Sequence, residues 1–213
     1  MGLTSEGPMA DPDDATREVA MQKAVKRTFD FVFALIAIIL LTPVWVVLSV
    51  WIYFSSPGGV FFRQKRTGFH GDTFEMLKFR SMYRNDKADE EQSSEGDPRV
   101  TPIGRFLRKS SLDELPQLWN VLVGDMSIIG PRPHMLQHTE YYSARIPQYM
   151  RRHNMRPGLT GYAQVKGFRG PTPRLEDMER RVKADLEYID NYSLWLDLKI
   201  FSLTIWRMLT FKL

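Results

Sequence analysis

Phe29–Phe54 reads FDFVFALIAIILLTPVWVVLSVWIYF, and how it sits relative to a bilayer decides the fold. The stretch is long and apolar enough to enter a membrane, yet Thr42-Pro43 interrupts it near its middle. Lys23, Lys26 and Arg27 flank it on one side and Arg63, Lys65 and Arg66 on the other. A simple span carries its basic excess on the cytoplasmic side only, so two basic flanks point to a segment that enters and returns to the same face. A mid-helix proline removes a hydrogen bond and clashes with the preceding turn, at about 3 kcal/mol, which offers a place to bend. Roughly 26 helical residues make about 39 Å against a hydrocarbon core of about 30 Å, so a straight, tilted span also fits the length. A buried core helix fits less well, because helices this long without charge are rare in small domains.

The 213 residues suffice for one domain plus a membrane element. A net charge of +4 from 29 Lys and Arg suits anionic headgroups or phosphorylated substrates. With no cysteine, a disulfide framework and a Cys-ligated metal site are excluded. The apolar run is too long for a signal-peptide core, and SSPGG after it is a poor cleavage site, so the run is expected to persist in the mature protein.

Composition divides the chain into a mobile tail at 1–20, the membrane element at 21–56, and a cytoplasmic domain at 57–213 that closes in an interfacial helix. VFFRQKRTG and TFEMLKFRSM, joined around GFHGD, read as a strand pair. RNDKADEEQSSEGDPR, Arg84 to Arg99, has almost nothing that packs and reads as an exposed loop. RLEDMERRVKADLEYIDNY is an amphipathic helix, with Leu175, Met178, Val182, Leu186 and Ile189 at helical spacing. In SLWLDLKIFSLTIWRMLTFKL, Trp195 and Trp206 lie about three turns apart and share a face, while Lys199, Arg207 and Lys212 can snorkel. That pattern suits a membrane interface, and a helix closing a soluble core also satisfies it. The fold class expected is α+β, mostly helical: an N-terminal re-entrant helix-break-helix, a small β element, and amphipathic interfacial helices.

The chemistry lies in the middle. In SSLDELPQLWN, Asp113 and Glu114 are adjacent carboxylates that follow Arg105, Arg108 and Lys109. Ser111-x-x-Glu114 by itself reads as a capping box, with acidic residues in a first helical turn. A second knot, GDMSIIGPRP, sets Arg132 between Pro131 and Pro133. Flanking prolines fix the backbone and hold a guanidinium ready to grip phosphate; an ordinary proline turn is the plainer reading. Lys78 and Arg80 in LKFRSM add cations, or form the solvated side of a strand.

From Lys26 onward the chain resembles the catalytic domain of the bacterial monotopic phosphoglycosyl transferases, the polyprenyl-phosphate sugar-phosphotransferases. The matching pieces are KRTFDFVFALIAIILLTPVW, SPGGVFFRQKRTG, FEMLKFRSM, DPRVTPIGRFLRKSSLDELPQLWNVLVGDMSIIGPRP, RPGLTGYAQVKGFRG and DLEYIDNYSLWLDLKI. The tract with His134, RRHNMRPGLTGYAQVKGFRG and SLWLDLKI looks most like the undecaprenyl-phosphate glucose-phosphotransferase branch. Relatives there usually carry a multi-span membrane region ahead of the core that is not part of this sequence. Tyr162 stands where many of them have Trp.

The resemblance implies transfer of a phospho-sugar from a UDP-sugar, glucose before galactose, to undecaprenyl phosphate, releasing UMP as the first membrane step of exopolysaccharide, capsule or glycan assembly. It implies that Asp113 is the nucleophile and forms a phosphosugar-aspartate. Mg²⁺ would offset repulsion between carboxylate and diphosphate, with Asp113 and Glu114 as its carboxylates. Lys78, Arg80, Arg108 and Arg132, the last between Pro131 and Pro133, are the candidates for holding phosphate. The re-entrant topology, a break at Thr42 and Pro43, membrane lipids as partners and the cytoplasmic face of the bacterial inner membrane follow from the same resemblance. No nucleic acid is expected, and a homo-oligomer is left open. A non-catalytic membrane-tethered protein binding anionic lipid explains the charge and both apolar helices but gives the two carboxylates no task. A glycoside hydrolase needs carboxylates about 5–9.5 Å apart across a bond, which sequence neighbours do not readily supply.

Overall fold

A computed structural model describes residues 12–84 and 96–210. Helix α1 (Pro12–Ser55) is followed by the strand pair β1 (Phe61–Thr67) and β2 (Thr73–Phe79), then α2 (Pro102–Lys109) and α3 (Gln117–Val123). Strand β3 (Ser127–Ile129), α4 (Leu136–Ser143), strand β4 (Gly158–Thr160), a single turn α5 (Tyr162–Val165), α6 (Leu175–Asp190) and α7 (Leu194–Leu209) complete it. The class is α+β with small sheets, as the sequence indicates. Residues 1–11 of the expected tail and 85–95 of the expected loop lie outside the described residues.

The expected strand pair forms, antiparallel, with Phe61 opposite Phe79 and Thr67 opposite Thr73. A second sheet, β3 parallel to β4, has no counterpart in the sequence reading. At three residues each, these strands are too short to show a period. They are held by close approach: a Cβ on Gly130 would fall 2.2 Å from the Arg156 carbonyl oxygen.

Helix α1 runs through Pro43 as one element, where a helix-break-helix was expected. Proline leaves one carbonyl without its donor, but the Thr42 hydroxyl donates to the Ile38 carbonyl at 2.8 Å and supports the same turn. One stripe of α1 packs on the rest of the chain along most of its length. Lys26 pairs with Asp197 at 2.7 Å. Arg27 donates to the carbonyls of Val121 and Leu122 at the end of α3, and Asp30 accepts from the Ile128 amide. Ala34 then enters a core with Met76, Val121, Met126, Ile128, Tyr188 and Ile200. Further along, Leu48 and Ile52 enter a second core with Phe79, Ile103 and Leu107.

The opposite side of α1 stays bare, with Leu40 71 %, Val47 64 % and Phe54 81 % exposed. Helix α7 adds to this apolar surface. Its N-cap Ser193 accepts from the Leu196 amide, Ile200 is buried, and Trp195 and Trp206 point outward together. Trp51 of α1 lies against Phe106 of α2, with ring centroids 6.0 Å apart. So large an apolar surface on one side of a small protein marks a partner or a membrane.

Candidate active site

The two carboxylates sit on a short turn anchored by leucines. Thr101 caps α2 by accepting from the Gly104 amide. After α2, Ser111 adopts left-handed backbone (φ 58°) and turns the chain into a 3-10 turn, Leu112–Glu114. Side chains three apart eclipse in such a turn. Leu112 and Leu115 therefore share a side and pack against the core built on Leu48 and Ile52. Asp113 and Glu114, between them, face a cavity of about 770 Å³. Ser111 and Glu114 do not form the capping box their spacing suggests, because Ser111 makes no side-chain cap. Its hydroxyl instead accepts from Arg169 at 3.0 Å.

Strand β2 brings in Lys78, and its register depends on Asn120. The Asn120 amide oxygen accepts from Leu77 N, and its amide nitrogen donates to Glu75 O. One side chain of α3 thus takes the place of a neighbouring strand and ties β2 to the helix after the acidic turn. Lys78 Nζ reaches Glu114 Oε1 at 3.2 Å.

The Pro131-Arg132-Pro133 turn is pinned by its carbonyls. Those of Pro131, Arg132 and Pro133 accept from Gly158 N, Arg152 Nη2 and Arg66 Nη1. Behind it Arg152 and Asp185 form a fully buried ion pair at 2.7 Å. From this rigid turn Arg132 Nη2 reaches Glu114 Oε1 at 2.6 Å.

Glu114 is therefore a hub, met by Lys78, Arg132 and, at 3.8 Å, Arg169. Burial works to raise its pKa, but Arg132, Lys78 and Arg169 together hold it far below the usual carboxylate range. Asp113 behaves oppositely. Burial pushes it up, Lys78 opposes, and Glu114 adds to the rise. No protein hydrogen bond to the Asp113 carboxylate is present among the described residues. The two neighbours thus differ in surroundings: Glu114 is met by three cations, whereas the Asp113 carboxylate faces the cavity.

Ten cationic side chains line the described cavity (Lys78 and nine arginines) against two carboxylates, a lining that suits an anionic ligand. Arg108 faces Asp113 and opposes its rise. Arg80 lines the cavity too, but its guanidinium donates to the carbonyls of Ile52, Ser56 and Pro57 and closes the end of α1. Its Nη atoms are thus committed to carbonyls, while Nε meets no hydrogen-bond partner among the described residues. Sequence reasoning missed Arg169, which lies 56 residues from Asp113, and the Arg152–Asp185 support behind Arg132.

Residues 21–211 match the model of a family described as bacterial sugar transferase. This chain belongs to that family. Relatives agree. A UDP-glucose:undecaprenyl-phosphate glucose-1-phosphate transferase of Xanthomonas campestris pv. campestris is 51 % identical over 182 residues, 84 % of this chain and 38 % of the relative. One of the same name from Caulobacter vibrioides is 50 % identical over 186 residues, 87 % of this chain and 70 % of its own. The exopolysaccharide production protein PSS of Rhizobium leguminosarum bv. phaseoli is 42 % identical over 196 residues, 89 % of this chain and 98 % of its own. The chain spans about two-fifths of the length of the Xanthomonas relative.

Proposed function

We propose that this chain moves a hexose 1-phosphate, glucose in the first instance and galactose next, from its UDP-sugar to undecaprenyl phosphate and releases UMP. The observation that carries the reading is Asp113: a buried carboxylate without a protein hydrogen bond among the described residues, facing a cavity rich in cations. Asp113 attacks the sugar-bearing phosphorus, a P–O bond to it forms, and the bond to UMP breaks. An oxygen of undecaprenyl phosphate then attacks the same phosphorus and releases Asp113. Covalent catalysis divides one hard transfer into two easier ones. Arg132 and Lys78 neutralise charge gathering on the phosphoryl oxygens, and Glu114 holds both in place.

The site also suits Mg²⁺, which needs only one or two carboxylates besides substrate phosphates. Asp113 would hold it, with Glu114 as the second carboxylate, and it would supply charge neutralisation between carboxylate and diphosphate. UMP release from UDP-glucose should require undecaprenyl phosphate for sustained turnover, vanish with EDTA and return with Mg²⁺. Sustained release without lipid acceptor, or full rate in metal-free buffer, would count against the reading.

Helix α1 is read as re-entrant, on the cytoplasmic face of the bacterial inner membrane. What supports this is that both of its halves pack on the same charged body, from Lys26 to Ile52. A span would have to carry that body into hydrocarbon, where unsatisfied polar groups cost several kcal/mol each. Cysteines replacing Met21 and Ser143, both exposed, test the topology in a chain with no other cysteine. An impermeant thiol reagent should label neither in intact spheroplasts and both after lysis. Labelling at position 21 alone from outside would establish a span.

A further inference from the structure

Beyond Arg132 the cavity wall continues over His134 and His138, and includes Thr172 and Arg181. Among the described residues, His134 Nε2 and Thr172 Oγ1 are buried here and meet no hydrogen-bond partner. Buried groups left unpaired are few in native proteins, and each needs a reason.

The state of the His134 ring follows from its neighbours. Its Nδ1 lies 2.6 Å from the Tyr149 hydroxyl. A phenol O–H is a stronger donor than a neutral imidazole N–H, so the Tyr149 proton is placed in the bond to His134 Nδ1. The remaining ring proton then sits on Nε2. Burial, reinforced by Arg152, Arg181 and Arg66, keeps the ring neutral. Thr67, 2.8 Å from Thr139, extends the chain of hydroxyls behind it. Across the cavity Arg181 donates to the carbonyls of Phe168 and Gly170 and fixes the loop that carries Thr172. The result is one neutral N–H donor of fixed direction and one rotatable hydroxyl.

Which part of the donor they meet follows from the two displacements proposed above, on which this inference rests. Both occur in line at one phosphorus, so UMP leaves and undecaprenyl phosphate enters on the side opposite Asp113. That side must open toward the membrane, where Gly58 and Phe61 line the cavity just after α1. The sugar points in a third direction and stays beside Asp113 through both steps. We propose that His134 Nε2 and Thr172 Oγ1, with Tyr149 fixing the His134 tautomer, form the subsite that recognises hexose hydroxyls. A pyranose hydroxyl both accepts and donates, matching this pair; a phosphate would prefer the cations.

The test uses the Asp113→Asn enzyme, which holds donor without turnover, so it does not depend on activity. UDP-glucose, UDP and the deoxy analogues of UDP-glucose are compared by calorimetry, with and without His134→Phe. Because buried polar groups discriminate strongly against ligands that cannot pair with them, His134→Phe should weaken UDP-glucose about 10- to 100-fold while UDP changes less than about 2-fold. At least one deoxy analogue should bind worse than UDP-glucose before the change and equally after it. Thr172→Val and Tyr149→Phe should give the same selective loss, smaller, and stand in if His134→Phe does not fold. Parallel weakening of UDP would move these residues to the nucleotide and overturn the proposal, as would deoxy penalties that persist unchanged. An inactive wild type that still shows the selective loss would instead count against the transfer reaction alone.

Discussion

Asp113→Asn should lower UMP release by roughly 10⁴-fold or more, the scale seen when a covalent nucleophile is removed. An amide has nearly the carboxylate's shape, so the fold should persist. No protein group donates to or accepts from the Asp113 carboxylate among the described residues, so the change leaves no buried partner unpaired. The variant should therefore show the wild-type melting temperature in detergent together with the lost turnover. Near-wild-type release would remove Asp113 from the mechanism, and a large drop in melting temperature would make the loss structural.

Lys78→Met and Glu114→Gln should move the acid limb of the rate in opposite directions. Asp113 reacts as the carboxylate, so activity falls as pH drops through its raised pKa. Lys78 opposes that rise and Glu114 reinforces it. Removing the Lys78 charge raises the pKa further and shifts the limb to higher pH. Removing the Glu114 charge lowers it and shifts the limb to lower pH. Both variants lose rate: Lys78→Met by about 10²- to 10³-fold, the usual effect of deleting a charge-stabilising donor. Glu114→Gln also takes from Lys78 and Arg132 the carboxylate they bond, with Asp113 remaining as a counter-charge, and costs about 3 kcal/mol of stability. Limbs that move the same way would show that the pH profile does not report Asp113.

What the sequence reveals here depends on how local each feature is. Asp113, Glu114 and Arg132 declare themselves because each sits in a short tract dense with Pro, Gly or charge. The β1–β2 pair is visible because its strands are long enough to alternate. Glu114's role is not legible, since its three cations come from β2, the Pro131–Pro133 turn and the loop before α6. Arg80 reads as a phosphate ligand, but it stands where β2 ends beside the last turn of α1, and carbonyls there claim its guanidinium. The capping box at Ser111 fails because φ at Ser111 is left-handed, a condition no spacing rule sees. Pro43 marks a break in sequence terms, yet the packed stripe on both sides and the Thr42 hydroxyl keep α1 one element. His134 and Thr172 lie 38 residues apart and converge only in the cavity wall.

The covalent step can be observed directly. Wild-type enzyme incubated with UDP-glucose and no lipid acceptor, quenched, digested and analysed by mass spectrometry should carry one phosphohexose on the peptide containing Asp113, and Asp113→Asn should carry none. Adding undecaprenyl phosphate before the quench should clear the adduct. Turnover with no adduct on that peptide at any quench time, or an adduct on another residue that persists in Asp113→Asn, would contradict the account.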